Sequence, residues 1–78
     1  MSKKEFLTEI ELAASAKQFR KKAGKKRADA ARDMGVSQTS IFNAEESPKQ
    51  GLQKLRMRMI EAYSPFAIVG PVYLLKKK

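Results

Sequence analysis

Arg27-Ala28-Asp29-Ala30-Ala31-Arg32-Asp33-Met34-Gly35-Val36-Ser37-Gln38-Thr39-Ser40-Ile41-Phe42-Asn43-Ala44-Glu45 is the stretch whose reading decides the fold. Paired alanines precede Gly35, a small polar run follows it, and Ile41 comes six residues after that glycine. This spacing predicts two short helices joined by a tight turn, a helix-turn-helix. The first runs from Arg27 to Met34, with Ala30, Ala31 and Met34 on its buried face and Gly35 ending it. Ser37 is the expected N-cap of the second, from Gln38 to about Glu45.

The flanking sequence supplies two more helices and an extended end. Thr8 to Ala23 reads as a helix, with Leu7, Ile10, Ala13, Ala14, Ala16 and Phe19 near helical spacing. Thr8 can cap it, and Glu9 and Glu11 suit the positive end of its dipole. Ser47-Pro48-Lys49-Gln50-Gly51 reads as a loop. Leu52, Leu55, Met59 and Ala62 then repeat at a helical period, and that helix stops before Ser64-Pro65. Phe66 to Leu75 is rich in β-branched and aromatic residues and broken by Gly70-Pro71, which predicts one kinked strand or two short ones. The expected fold is mainly α: a small helical bundle carrying the helix-turn-helix, closed by a C-terminal extended strand or short hairpin. Residues 1–7 are expected to be a flexible N-terminus, 8–63 the helical domain, and 64–78 a strand segment with a basic tail.

Composition narrows the function. A chain of 78 residues allows one small domain, which buries only about 60% of the surface its unfolded form exposes. Without cysteine or histidine it has neither a disulfide framework nor the commonest metal ligands and general base. No apolar run approaches the length of a membrane span, and Met1-Ser2-Lys3-Lys4 is not followed by a long apolar core, so a secretory signal is not expected. No nucleophile has a plausible base, no acidic pair stands out, and Gly24 and Gly35 fit no phosphate-loop pattern. The expectation is a non-enzyme in the cytoplasm, with no cofactor, no metal and no small-molecule ligand.

The charge points to a polyanion. Seventeen Lys and Arg against 8 Asp and Glu leave a formal net charge of +9. Lys76-Lys77-Lys78 reads as a disordered basic tail. The run from Phe19 to Arg27 is different, because six of its nine residues are basic and it lies between helices. Lys21 and Lys22 suit the negative end of the first helix, and Gly24 is a natural C-cap. Lys25, Lys26 and Arg27 stand where the next helix begins and its dipole disfavours cations, which makes sense if a phosphate is held there.

From about Ala16 to Glu45 the chain resembles the helix-turn-helix domain of the phage Cro and repressor family, the XRE-type regulators, whose fold is lambda-repressor-like. The resemblance rests on Phe19-Arg20, Gly24, Ala30-Ala31, Gly35-Val36-Ser37, Gln38-Thr39-Ser40-Ile41 and Glu45. It implies that Arg27, with Lys26 nearby, clamps a DNA phosphate; the basic charge adds Lys22 and Lys25 as expected phosphate contacts. The resemblance implies that Ser37, Gln38, Thr39, Phe42 and Asn43 read base edges, and that Arg20 and Glu45 form a structural ion pair. Side-chain chemistry agrees for some of these positions, since Gln and Asn can bond adenine bidentately and a Thr methyl can meet the thymine methyl. Phe42 departs from the family pattern, where a polar residue is common; contact with a thymine methyl, with a partner helix and with the core are all open to it.

The expected function is therefore a sequence-specific double-stranded DNA-binding transcriptional regulator, a repressor of phage, plasmid or bacterial origin acting at the nucleoid. Phe66, Ile68, Val72 and Tyr73 can either close the monomer core or pair with the same segment of a second subunit. A homodimer is the expectation adopted, since two recognition helices about 34 Å apart meet successive major grooves. One alternative is an antitoxin that autoregulates its operon and binds a toxin through the C-terminal segment. Another is a small basic RNA-binding protein, although neither sheet aromatics nor a glycine-lined clamp is evident. Membrane-surface binding ranks last, because the cations cluster at a helix junction rather than along an amphipathic face.

Overall fold

The computed structural model describes residues 6–69 and 73–78. Its elements are β1 (Phe6–Leu7), α1 (Glu9–Lys22), α2 (Arg27–Met34), α3 (Gln38–Glu46), α4 (Gln53–Tyr63), β2 (Phe66–Val69) and β3 (Tyr73–Lys77). The fold is mainly helical with a short C-terminal antiparallel hairpin, as the periodicities predict.

Local chemistry sets the helix ends. Thr8 closes a capping box on α1: its hydroxyl accepts from the Glu11 amide at 3.2 Å, and the Glu11 carboxylate accepts from the Thr8 amide at 2.9 Å. At the other end Gly24 takes φ +74°, while the Gly24 amide bonds the Lys21 carbonyl and the Lys25 amide bonds the Arg20 carbonyl. That double closure is a Schellman turn. The same pattern recurs at Gly35, with φ +71°, where the Gly35 amide reaches Arg32 and the Val36 amide reaches Ala31. Ser37 then caps α3 by accepting from the Ser40 amide at 3.1 Å.

A Cβ built on Gly35 meets nothing within 4 Å, so substitution there strains only the backbone. Gly35→Ala is expected to lose about 1–2 kcal/mol in urea denaturation, and Gly35→Asn less, because Asn tolerates left-handed backbone. Equal stability of the alanine variant and the parent sinks this account of the turn.

The core is shared by every helix and by β2: Leu12 and Ala16 from α1, Ala30, Ala31 and Met34 from α2, Ile41 and Ala44 from α3, Leu55, Met59 and Ile60 from α4, and Ile68. Phe19, Val36 and Phe66 pack against it, with the Phe19 and Phe66 ring centroids 6.0 Å apart. The apolar stripe of α1 differs from its expected position. Leu12, Ala13, Ala16 and Arg20 are buried, whereas Ile10 is 68% exposed and Ala14 is exposed. On α4, Ile60 is buried and Ala62 is exposed. Both shifts follow from α1 lying along α4, the most extensive helix contact in the fold, which selects the 12–16–20 row of α1 rather than the 10–14 row.

The sheet changes the reading of both chain ends. Its strand order is β1-β3-β2 and both pairs are antiparallel. Phe6 and Leu7, expected in a flexible N-terminus, pair with Leu74 and Tyr73; residues 1–5 lie outside the described residues. Lys76 and Lys77, expected in a disordered tail, pair with Ala67 and Phe66, and the Lys78 amide donates to the Pro65 carbonyl. Strand pairing with an apolar neighbour overrides the solubility of the lysines.

The proposed dimer residues behave likewise. Ile68 is buried in the chain's own core and half-buried Phe66 packs against it, the arrangement of the monomer-closing alternative. The Tyr73 backbone pairs with Leu7, and Val72 lies outside the described residues. On β2 the Ile68 amide donates to the Glu61 carboxylate at 3.1 Å and the Phe66 amide to the Ser64 hydroxyl at 3.1 Å. A second strand docking on that edge has to displace both groups, a form of edge protection.

Candidate nucleic-acid interface

Ile41 and Ala44 anchor α3 at zero exposure, which turns its opposite side outward. Ser37, Gln38 and Thr39 are exposed, Phe42 is 47% exposed, and Asn43 is half-buried. Among the described residues, neither Gln38 nor Thr39 has a side-chain hydrogen bond within the protein. Ser37 is different: its hydroxyl is engaged by the Ser40 amide and lies 3.0 Å from the Ser40 hydroxyl. The cap therefore competes with base contact at Ser37, whereas Gln38 and Thr39 have their polar groups available.

A charged cluster fixes how α3 is held. The Glu45 side chain is fully buried, and its carboxylate accepts from Arg20 at Nε (2.5 Å) and at Nη2 (3.0 Å). Arg20 Nη1 donates to the Lys25 carbonyl at 2.8 Å, so the expected Arg20–Glu45 pair also ties down the turn after α1. A fork meeting a carboxylate in this way is the strong, directional form of ion pair.

Arg27 joins the same cluster. Its Nε donates to Glu45 at 3.0 Å and its Nη2 to Glu46 at 2.9 Å, while the guanidinium carbon lies 4.8 Å from the Phe42 ring centroid. Lys17 completes the chain with a 2.6 Å contact to Glu46. Two carboxylates and an aromatic face thus engage the guanidinium to which the family resemblance assigns a phosphate, and the side chain stays 31% exposed. A buried carboxylate attracts every cation within reach, and α2 begins next to it.

The remaining expected phosphate contacts fall on the α1–α2 junction. Lys22 and Lys26 are exposed and have no ion pair among the described residues. Lys25 is partly exposed, 3.6 Å from Asp33. At the start of α2 the Lys26 amide donates to Asp29 at 3.0 Å, and Asp29 also accepts from Arg32 at 2.7 Å. A first-turn carboxylate therefore already serves the Lys26 backbone amide at the start of α2 and, among the described residues, leaves the lysine side chains around it unpaired by it.

Several positioning residues carried no signal in the sequence. Glu46 and Lys17 are twenty-nine residues apart. Arg56, fully buried on α4, donates from Nε to the Ala44 carbonyl and from Nη2 to the Ser47 carbonyl, both at 2.8 Å. Arg58 Nη2 bonds the Met34 carbonyl at 2.9 Å, and the Tyr63 hydroxyl donates to Asp33 at 2.6 Å. The absence of a glycine after α3 was the one available hint, because those terminal carbonyls need some donor. Beside α3 an open groove of about 400 Å³ runs between Val36, Ser40 and the start of α4 at Gly51–Leu55.

These contacts tune three carboxylates downward. Glu46 lies below its ordinary 4.5, chiefly through its bond from Lys17. Asp33 lies below 3.8 because Tyr63 donates to it, and Asp29 because the Lys26 amide does. Burial and the same Asp33 contact push Tyr63 up. Folded values below unfolded ones mean that this stabilisation is complete above the ordinary values and is lost as pH falls through the folded ones. The melting temperature is expected to hold near neutrality and to drop once pH passes below 4.5, with Glu46→Gln flattening the onset. An unchanged onset in that variant removes Glu46 from the account.

No helix among the described residues is long and apolar enough to cross a membrane. Among them, no group of three or more Asp or Glu side chains is placed to hold a metal ion. Comparison with protein-family models, curated proteins and solved structures found no match.

Proposed function

We propose that this chain is a sequence-specific double-stranded DNA-binding regulator of the Cro and repressor type, with α3 entering the major groove. The observation that carries the reading is the first turn of α3, where Gln38 and Thr39 face solvent with their hydrogen-bonding groups unused. The Ser37 cap and the α2–α3 turn anchor the start of α3 and the Glu45 cluster its end, a supported placement of the kind base readout requires. Gln38, Thr39 and Asn43 read bases, while Lys22, Lys25 and Lys26 supply sequence-independent attraction to phosphate. Arg27 belongs to the supporting framework in this assignment.

The test is random-site selection on duplex DNA with an RNA competitor present. A recurrent duplex motif is expected, and its symmetry reports whether two copies bind together. Preferential capture of the RNA overturns the proposal. Gln38→Ala is expected to lose about 1–3 kcal/mol on the selected duplex and almost nothing on unrelated DNA. Equal losses on both duplexes remove Gln38 from base readout.

A further inference from the structure

Only Ile10 and Phe42 among the described large apolar side chains are strongly exposed. Phe42 lies one turn after Gln38 and Thr39 and adjoins Asn43, so it shares their surface. Its position there is supported from below. The Arg27 guanidinium stands 4.8 Å from the ring centroid, and Arg27 is itself held at Nε by Glu45 and at Nη2 by Glu46. Glu45 in turn is locked by Arg20 and Glu46 by Lys17. The ring thus rests on a cation that four charged neighbours keep in place, while nearly half of the residue remains open to solvent.

Resting on the proposed function, we propose that Phe42 recognises the C5-methyl group of a pyrimidine in the major groove, and that Arg27 is the residue that positions it. An aromatic ring has no hydrogen bond to offer a base edge. The one apolar feature of the major-groove edge is the thymine methyl, a group that cytosine acquires when methylated at C5. A cation–π contact holds one side of the ring without covering it. The guanidinium gives this support through its shape as well as its charge, since a planar fork reaches Glu45, Glu46 and the ring together. A lysine ammonium in its place supplies the charge and loses the fork.

Thymine-by-thymine replacement with deoxyuridine tests this on the full-length protein and the selected duplex. Deoxyuridine removes only the methyl and leaves base pairing intact. At one thymine of the recognised sequence, binding is expected to weaken about fourfold, the worth of one buried methyl. Phe42→Ala is expected to bind the two duplexes equally. Arg27→Lys, checked for folding by circular dichroism, is expected to lose most of the discrimination.

If no thymine position responds, or the response persists in Phe42→Ala, methyl recognition by Phe42 is overturned. Discrimination that survives intact in Arg27→Lys overturns the positioning role of Arg27. Failure to select any duplex motif overturns DNA binding itself, an outcome distinct from selection of a motif that is indifferent to the methyl.

Discussion

Glu45→Ala is expected to destabilise the domain by about 3–5 kcal/mol, the cost of leaving a buried charge without its partner. The Glu45 side chain is wholly buried and that of Arg20 is 9% exposed. Arg20 keeps only the Lys25 carbonyl once the carboxylate is gone. In a chain this small each kcal/mol lowers the melting temperature by about 4–8 °C, so the variant should melt far below the parent. Truncating Arg27 instead should cost much less, because its side chain is 31% exposed and water can hydrate what remains. A double change, Arg20→Met with Glu45→Leu, should recover most of the loss, since two apolar side chains of similar size leave no charge buried. Calorimetric melts of the four proteins decide it. If Glu45→Ala loses less than about 1 kcal/mol, the level of a surface pair, the cluster does not hold α3.

Arg56→Ala ranks second, at about 2–4 kcal/mol, from carbonyls left without a donor and from the lost packing of a fully buried side chain. Arg56 Nε serves the Ala44 carbonyl and Nη2 the Ser47 carbonyl. These two bonds substitute for the glycine cap that α1 and α2 possess and α3 lacks. Beyond global stability, amide exchange in residues 47–52 should accelerate more than in α1, because the loop loses its tie to α4. Exchange that speeds up uniformly contradicts the capping role. Arg56→Lys should recover only part of the loss, since one ammonium cannot reproduce the geometry of the two forked bonds.

Much of the helical layout was legible because it is written in local chemistry. Thr8, Gly24, Gly35 and Ser37 act within a few residues of themselves, through caps and left-handed backbone, and the α2 and α3 boundaries accordingly fall within a residue of expectation. The Arg20–Glu45 pair was reachable only through the family resemblance, since twenty-five residues separate its members. Arg27 shows what position alone leaves out. Its place at the start of α2 suits a phosphate, yet the fold sets two carboxylates and an aromatic ring against it. Phe42, which departs from the resembled pattern, packs its ring against the guanidinium of Arg27, a contact no local pattern signals.

The candidate readers Gln38 and Thr39 are what the family resemblance implies; by itself, the sequence determined the helix ends, the turn between α2 and α3, and the basic charge. Each of these depends on neighbouring residues or on composition. Only the tertiary structure decided which row of α1 is buried, that Lys76 and Lys77 end a strand rather than a tail, and that Ile68 closes the chain's own core. It also decided that Arg27 supports α3 and that Arg56 caps it. Those outcomes turn on which distant groups come to share a buried space. Burial forces every charge and carbonyl in that space to find a partner, wherever in the chain the partner lies.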